Sequence, residues 1–312
     1  MKYRSPWWRH IRKKHKADAD SGGGELKLPS RIRTYLKTVA STALGRTPAG
    51  RSLTVFSDDI FLVGYFRSGS TWSRFLFGNF IHQHEAVTFT NMEKLVPSIY
   101  GWPDRTLRRL PRVMKSHENF DPRYPRVIYI VRDPRDVAVS FYFYNLKVRV
   151  IPDGYSMDEF VTRFVNANVV PYADRVGCWQ DHVLSWLRLR EGKPGFALVR
   201  YEDLLADPVK ELTKFAPMLG ISPTPQRIER AVRLSSAHHM QSLEEKQAKQ
   251  WTTTKDTRQD IPFVREAKSG GWRNKLSPAA VRTIEQAWGS TMKELGYGLV
   301  QDADADRELV NR

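Results

Sequence analysis

Ile60-Phe61-Leu62-Val63-Gly64-Tyr65-Phe66-Arg67-Ser68-Gly69-Ser70-Thr71-Trp72 runs from four apolar residues, through two glycines, into an amphipathic stretch. That order reads as a strand, a phosphate-holding loop and the start of a helix. Gly64 and Gly69 have the spacing of the triphosphate loop G-x-x-x-x-G-K-[ST], but the Lys after the second Gly is missing. Ser70-Thr71 follows directly, and the cation has moved into the loop as Arg67. Backbone N–H groups at the helix start still suit an anionic phosphate. What is lost is the Lys that serves a γ-phosphate, so the loop suits a 5′-phosphate bearing something other than a triphosphate.

The chain around this loop has 312 residues, enough for one large α/β domain or two small ones with a good core. Hydrophobic content of 41% and aromatic content of 12% predict a globular body. The single cysteine, Cys178, excludes an intrachain disulfide, and no Cys/His cluster has zinc spacing. No apolar run reaches the ~20 residues that cross a bilayer, and the N-terminus lacks the apolar core of a secretory signal. The expectation is a soluble, cytoplasmic protein. Formal charge is +16, of which residues 1–16 supply seven positive charges and no negative one. The rest of the chain is still basic, which suits a cleft for polyanionic ligands. Residues 1–25 read as a basic flexible tail and linker, with Trp7 and Trp8 suited to lipid headgroups and hence to peripheral membrane contact through residues 1–16. Residues 26–300 read as one domain and 301–312 as a polar tail.

Strands are predicted over Ile60–Tyr65, Arg112–Lys115, Arg126–Val131 and Phe196–Arg200, each a short apolar run with β-branched content. Helices alternate with them over Thr71–Ile81, Pro134–Leu146, Met157–Val165, Gly177–Arg190, Val209–Leu219, Pro225–Leu234 and Pro278–Leu295. Asp133 and Ser277 are the expected N-caps of two of these, and Pro134 and Pro278 their first residues. The alternation predicts an α/β fold, a P-loop-like parallel β-sheet flanked by helices on both faces. Residues 241–273 are polar and weakly periodic, and read as a long loop.

Three further segments carry chemistry. Tyr129-Ile130-Val131-Arg132-Asp133-Pro134-Arg135-Asp136-Val137-Ala138-Val139-Ser140 places Arg132 at the carboxyl edge of a strand, where open α/β sheets bind ligands. Arg132 offers a planar two-pronged phosphate donor and Ser140 a hydroxyl; the structural alternative is an ion pair at a helix start, with Arg135 and Asp136 as surface charges. Lys115-Ser116-His117 follows the second strand, and a histidine there has a pKa suited to a general base. His182 falls in an apolar helical pattern with Trp179 and Trp186 and reads as packing. The last segment is Arg265-Glu266-Ala267-Lys268-Ser269-Gly270-Gly271-Trp272-Arg273-Asn274.

Together these segments resemble the soluble sulfotransferase family, bacterial members in particular, from about Ile60 to Tyr297. Arg67 to Trp72 resembles that family's K-S-G-T-T-W, with Arg for Lys; Lys115-Ser116-His117 its K-T-H; the Tyr129–Ser140 segment its Y-x-x-R-[DN]-P-x-D-x-x-x-S; and Arg265–Asn274 its R-K-G-x-x-G-D-W-K-N. The resemblance implies a donor, 3′-phosphoadenosine 5′-phosphosulfate (PAPS), a product, 3′-phosphoadenosine 5′-phosphate (PAP), and a small-molecule acceptor, with no metal. It implies that Arg67, Ser68, Gly69, Ser70 and Thr71 hold the 5′-phosphosulfate and that Arg132, Ser140, Arg265 and Gly270 belong to the 3′-phosphate site. It implies that Trp72 and Tyr201, the latter in Tyr-Glu-Asp-Leu, contact the adenine, with Ser235 on the same side. His117 is then the base, with Lys115 and Arg67 stabilising charge. Glu266, Ala267 and Gly271 depart from the family's Lys, Gly and Asp, which bears on donor affinity and loop closure.

Three alternatives stay open on the residues: a P-loop kinase using ATP, a polyanion- or membrane-binding protein acting through its basic tail, and a degenerate sulfotransferase that binds donor without turnover. No nucleic-acid partner is expected. The acceptor and the oligomeric state are not encoded legibly; Tyr100, Trp102, Tyr142, Tyr144 and Phe263 are candidate acceptor-pocket residues.

Overall fold

A computed structural model of the protein describes residues 47–48, 53–100, 112–169 and 176–300. The basic tail, the C-terminal tail and Trp102 lie outside the described residues. A short antiparallel pair, β1 (Thr47–Pro48) and β2 (Thr54–Val55), precedes the main sheet. That sheet contains β3 (Ile60–Val63), β4 (Val113–Ser116), β5 (Arg126–Val131) and β6 (Phe196–Arg200), all parallel, in the spatial order β4-β3-β5-β6. β5 and β6 have the limits their sequences predict; β3 ends two residues early and β4 is displaced by one.

Side chains along these strands alternate between two cores, as the two-residue period of a strand requires. Phe61, Val63, Val127, Tyr129 and Val131 face one side, against α3 (Pro134–Lys147), α4 (Met157–Val165), α5 (Trp179–Arg190) and α10 (Pro278–Glu294). Ile60, Leu62, Ile128 and Ile130 face the other, against α1 (Ser70–Ile81), α7 (Pro208–Leu219) and α8 (Pro225–Leu234). Burial on both faces explains why the strands read as unbroken apolar runs. Each large apolar side chain buried this way contributes roughly 1.5–3 kcal/mol.

The predicted helix starts rest on real caps. The Asp133 carboxylate accepts from Arg135 N–H at 2.9 Å, and Ser277 Oγ from Ala280 N–H at 3.0 Å. Three helices are additions to the sequence reading: α2 (Met92–Leu95), α6 (Tyr201–Ala206) and α9 (Ala237–Gln247). The predicted loop over 241–273 therefore begins as helix, and its remainder is tied down. Glu244 on α9 accepts from Phe263 N–H at 2.6 Å and Val264 N–H at 2.7 Å, and buried Lys147 on α3 donates to the Arg258 and Ile261 carbonyls. Trp251 is buried against Phe89 and Phe263.

The chain leaves β3 for β4 on one side and returns to β5 on the other. The strand order thus reverses between β3 and β5, and their carboxyl ends make the crevice where such sheets bind ligands. Gly64 to Gly69 leaves β3 there, and Arg132 leaves β5.

Candidate active site

The loop after β3 is shaped by its glycines. Gly69 has φ +97°, and a Cβ there would lie 2.6 Å from the Tyr201 ring, so both backbone and space require glycine. At Gly64 a Cβ would lie 2.6 Å from the Ile130 carbonyl oxygen, because the loop crosses β5 closely. Arg67 also takes a positive φ, 65°. The Ser68 N–H donates to the Tyr65 carbonyl at 3.1 Å and is thus engaged within the loop itself. The N–H groups of Ser70, Thr71 and Trp72 open α1 and have no carbonyl of their own helix to bond. Ser68 Oγ is buried without a hydrogen-bond partner in the protein.

Three guanidinium groups converge above this loop. Arg67 Nε donates to Ser140 Oγ at 3.2 Å, so a residue expected at the 5′ end and one expected at the 3′-phosphate already touch. The Arg67 guanidinium sits 4.8 Å from the Tyr144 ring centroid and 4.7 Å from that of Phe263. Desolvation, with the charges of Arg132 and Arg265, pulls its pKa down to about 10. Arg132 lies over the Tyr201 ring at 4.2 Å, donates to the Arg67 carbonyl at 3.4 Å and the Lys268 carbonyl at 3.1 Å, and has a buried Nε with no partner. Arg265 lies over the Phe143 ring at 3.9 Å, and burial together with Arg132 lowers its pKa.

The segment that carries Arg265 and Gly270 is held by Asp136, a surface charge only in the alternative reading of its segment. Asp136 is buried, and its carboxylate accepts from Gly270 N–H at 2.7 Å and Trp272 N–H at 3.0 Å. Arg135 is buried too, paired with Asp133 and Glu285 at 2.7 Å each and stacked over Trp272 at 4.0 Å. Glu266 pairs with Lys275 at 2.7 Å and lies 3.7 Å from Arg265, and these cations hold its pKa down. Ala267 takes φ 48° where the resembling family has glycine, a conformation costing about 1 kcal/mol for a residue with Cβ. Replacing Asp136 with Asn should weaken PAP binding by about tenfold or more, since one charge-assisted bond is lost and an amide NH2 faces a backbone N–H. Calorimetric titration checks this; an unchanged affinity would remove the clamp from the donor site.

Where the adenine is expected, the Trp72 and Tyr201 rings meet edge to face at 5.2 Å, and Trp72 Nε1 donates to the Ser235 carbonyl at 2.9 Å. Ser235 Oγ is buried without a partner. The three residues expected at the adenine are therefore together, with a polar atom to spare.

Lys115 lies in β4 and His117 just beyond its end, against the Gly64 carbonyl. His117 Nδ1 donates to the Gly64 carbonyl at 2.5 Å, which puts the proton on Nδ1 and leaves the Nε2 lone pair as acceptor. Its backbone N–H donates to the Tyr100 hydroxyl at 2.9 Å, and Phe66 lies 4.5 Å from its ring. Burial, helped by the Lys115 charge, drops its pKa well below the usual value, so the ring is neutral at pH 7. Desolvation and the Arg74 charge pull Lys115 down to about 7, against the opposing pull of Glu93 and Glu118. His182 is buried, as its helical pattern predicts, and shares a hydrogen bond with the Tyr129 hydroxyl at 2.8 Å. The Tyr142 hydroxyl donates to the Tyr155 carbonyl, and its ring packs on Phe160. Among the described residues, no group of three His, Cys, Asp or Glu side chains could hold a metal ion, and no helix is long and apolar enough to cross a membrane.

Residues 57–296 match the model of a family described as Sulfotransferase domain. Human Sulfotransferase 1E1 is 29% identical over 261 residues, covering 76% of this chain and 84% of that protein. Rat Sulfotransferase 1A1 is 27% identical over 269 residues, covering 79% and 89%. Mouse sulfotransferase SULT7A1, solved in complex with PAP, superposes with a TM-score of 0.61 at 26% identity, over 84% of this chain and 91% of that one. The matched span contains the loop after β3, the converging arginines, His117 and the Asp136 clamp, and on that evidence the chain belongs to the sulfotransferase family.

Proposed function

We propose that this sulfotransferase moves the sulfuryl group of PAPS to a hydroxyl or amine of a small-molecule acceptor, with His117 as general base. The observation that carries the reading is the grouping of Arg67, Arg132 and Arg265, with Arg132 bonded to the Arg67 carbonyl and the Arg67 pKa lowered by desolvation and by both neighbours, beside buried, unpartnered atoms of Ser68, Arg132 and Ser235. Like charges this close are unfavourable without an anion between them, and two phosphate groups on one nucleotide supply it. Arg132, Arg265 and Gly270 suit the 3′-phosphate, Arg67 and the first turn of α1 the 5′ end, and Trp72, Tyr201 and Ser235 the adenine.

His117 Nε2 takes the acceptor proton as the acceptor lone pair forms the new bond to sulfur. The bond between sulfur and the bridging oxygen breaks, and its electron pair leaves with the 5′-phosphate of PAP. Lys115, Arg67 and the N–H groups of Ser70 to Trp72 stabilise the charge that grows on that oxygen, donors fixed in advance of the reaction. The base lies among Phe66 and Tyr100, with Tyr144 and Phe263 around Arg67, so the acceptor side is aromatic and favours planar apolar acceptors.

Calorimetric titration with PAP in the absence of metal tests the donor site, with ATP in parallel, with and without Mg²⁺. Saturable binding of PAP and none of ATP is expected. Binding of ATP with Mg²⁺ and none of PAP would replace this reading with that of a kinase.

A further inference from the structure

The segment from Met92 to Tyr100 is bound to Arg74 of α1 and to β4. On its inner side, buried Arg74 of α1 donates to the Val96 and Met92 carbonyls at 2.7 and 3.2 Å and pairs with Glu93 at 2.7 Å. The other oxygen of Glu93 accepts from Ser98 N–H at 2.9 Å. Pro97 to Ile99 then runs beside β4 and brackets one residue of it: Lys115 N–H donates to the Pro97 carbonyl at 2.9 Å, and Ile99 N–H to the Lys115 carbonyl at 3.0 Å. Tyr100 comes next. Its hydroxyl accepts from His117 N–H at 2.9 Å, and its ring faces the Lys115 ammonium at 5.1 Å. One side chain thus touches Lys115 of β4 and His117 just beyond its end.

We infer that Tyr100 is a positioning residue of the reaction centre, its hydroxyl fixing the backbone of His117 and its ring the place of the Lys115 ammonium. The inference rests on the assignment of His117 and Lys115 made above. Other restraints hold the chain next to and beyond the base: Glu118 N–H donates to Ser116 Oγ at 3.0 Å. Trp186 Nε1 holds the Glu118 carbonyl at 3.1 Å and Ser185 Oγ accepts from Phe120 N–H at 3.1 Å, both beyond His117 in the chain. At His117 itself the ring is fixed by Gly64 and the backbone by Tyr100. Without the hydroxyl, the imidazole can rock about its bond to Gly64, and Nε2 moves relative to the attacking oxygen. The ring contact is a separate device: a cation over an aromatic face is favoured when its hydration is reduced, and Lys115 sits among Arg74, Glu93, Glu118 and His117 in that state.

The two contacts separate by mutation. Tyr100→Phe removes the hydroxyl and keeps the ring; Tyr100→Leu removes both. The full chain is assayed with PAPS and 2-naphthol as the acceptor probe, PAP affinity is read by calorimetry, and Lys115 is titrated by NMR. Tyr100→Phe is expected to lower kcat on the order of 10- to 100-fold, the loss that follows a small misplacement of a catalytic group. PAP affinity and the Lys115 titration should stay in place. Tyr100→Leu should lose as much rate and also move the Lys115 titration. A Tyr100→Phe enzyme with wild-type kcat, or one whose defect is confined to KM for the acceptor, overturns the inference and makes Tyr100 a pocket wall. His117→Asn is the companion control. If it turns over normally, the base assignment falls and this inference with it; if it is inactive while Tyr100→Phe is normal, only the inference falls.

Discussion

Replacing His117 with Asn is expected to lower kcat by about 10²- to 10⁴-fold, the range that general-base catalysis supplies, while PAP binds as before. Asparagine keeps a donor for the Gly64 carbonyl, so the loop after β4 retains its hydrogen bond and the loss is one of chemistry. The pH dependence separates this role from a structural one. The His117 ring is held neutral well below its ordinary pKa, so the base is already competent at pH 6 and the acid limb of the rate profile lies lower than for a free histidine. The role proposed for Lys115 needs its charged form, and its pKa of about 7 in the free enzyme predicts that kcat/KM for PAPS falls as pH rises through about 7. Once the anionic donor is bound beside it, the ammonium is favoured, so the same limb in kcat moves to higher pH. A wild-type rate in His117→Asn would end the base assignment. Identical basic limbs in kcat and kcat/KM would end the assignment of Lys115.

The parts of this centre that were legible in the sequence are those whose chemistry is local. Gly64 to Trp72, Lys115 to His117 and Arg132 to Ser140 each combine a strand end, a turn and the start of a helix or loop within a dozen residues, and a parallel sheet then brings the three strand ends together. Helix α9 was not legible, because its buried side includes Met240 and Glu244, and a carboxylate at a core position breaks the apolar period that marks a helix. That carboxylate is buried because it holds Phe263 and Val264, about twenty residues further on. Asp136 is the same case over 134 residues: adjacent to Arg135 on a helix, it has the pattern of a surface pair, and only the return of Gly270 and Trp272 makes it a clamp. Arg74 likewise gains its role from Glu93, which the sequence places in no motif, and Tyr100 lies outside the motif that holds its partner His117. Long-range partners of buried charges carry no period, so neither spacing nor propensity announces them.

Arg67→Ala should cost about 10²- to 10³-fold in kcat, comparable to the removal of one preorganised donor from a site of developing negative charge, and Arg67→Lys should recover part of it. The argument turns on what else the guanidinium does. Its pKa, lowered to about 10, is still far enough above neutrality for a fixed charge, so the role proposed for Arg67 is to stabilise the leaving oxygen, not to donate a proton to it. Its Nε is committed to Ser140, and its plane lies between Tyr144 and Phe263, so the cation aimed at the donor also forms the boundary with the acceptor side. A lysine ammonium has no Nε to give Ser140 and no flat face to lay against the two rings. The Arg67→Lys enzyme should therefore bind PAP within a few-fold of wild type and show its larger defect in kcat and in KM for aromatic acceptors. Arg67→Ala loses donor stabilisation and boundary alike. If Ala and Lys at this position fall equally far, the charge is not what the residue supplies, and its hydrogen bond to Ser140 becomes the better account. If both keep the wild-type rate, the loop after β3 does not serve the transferred group at all.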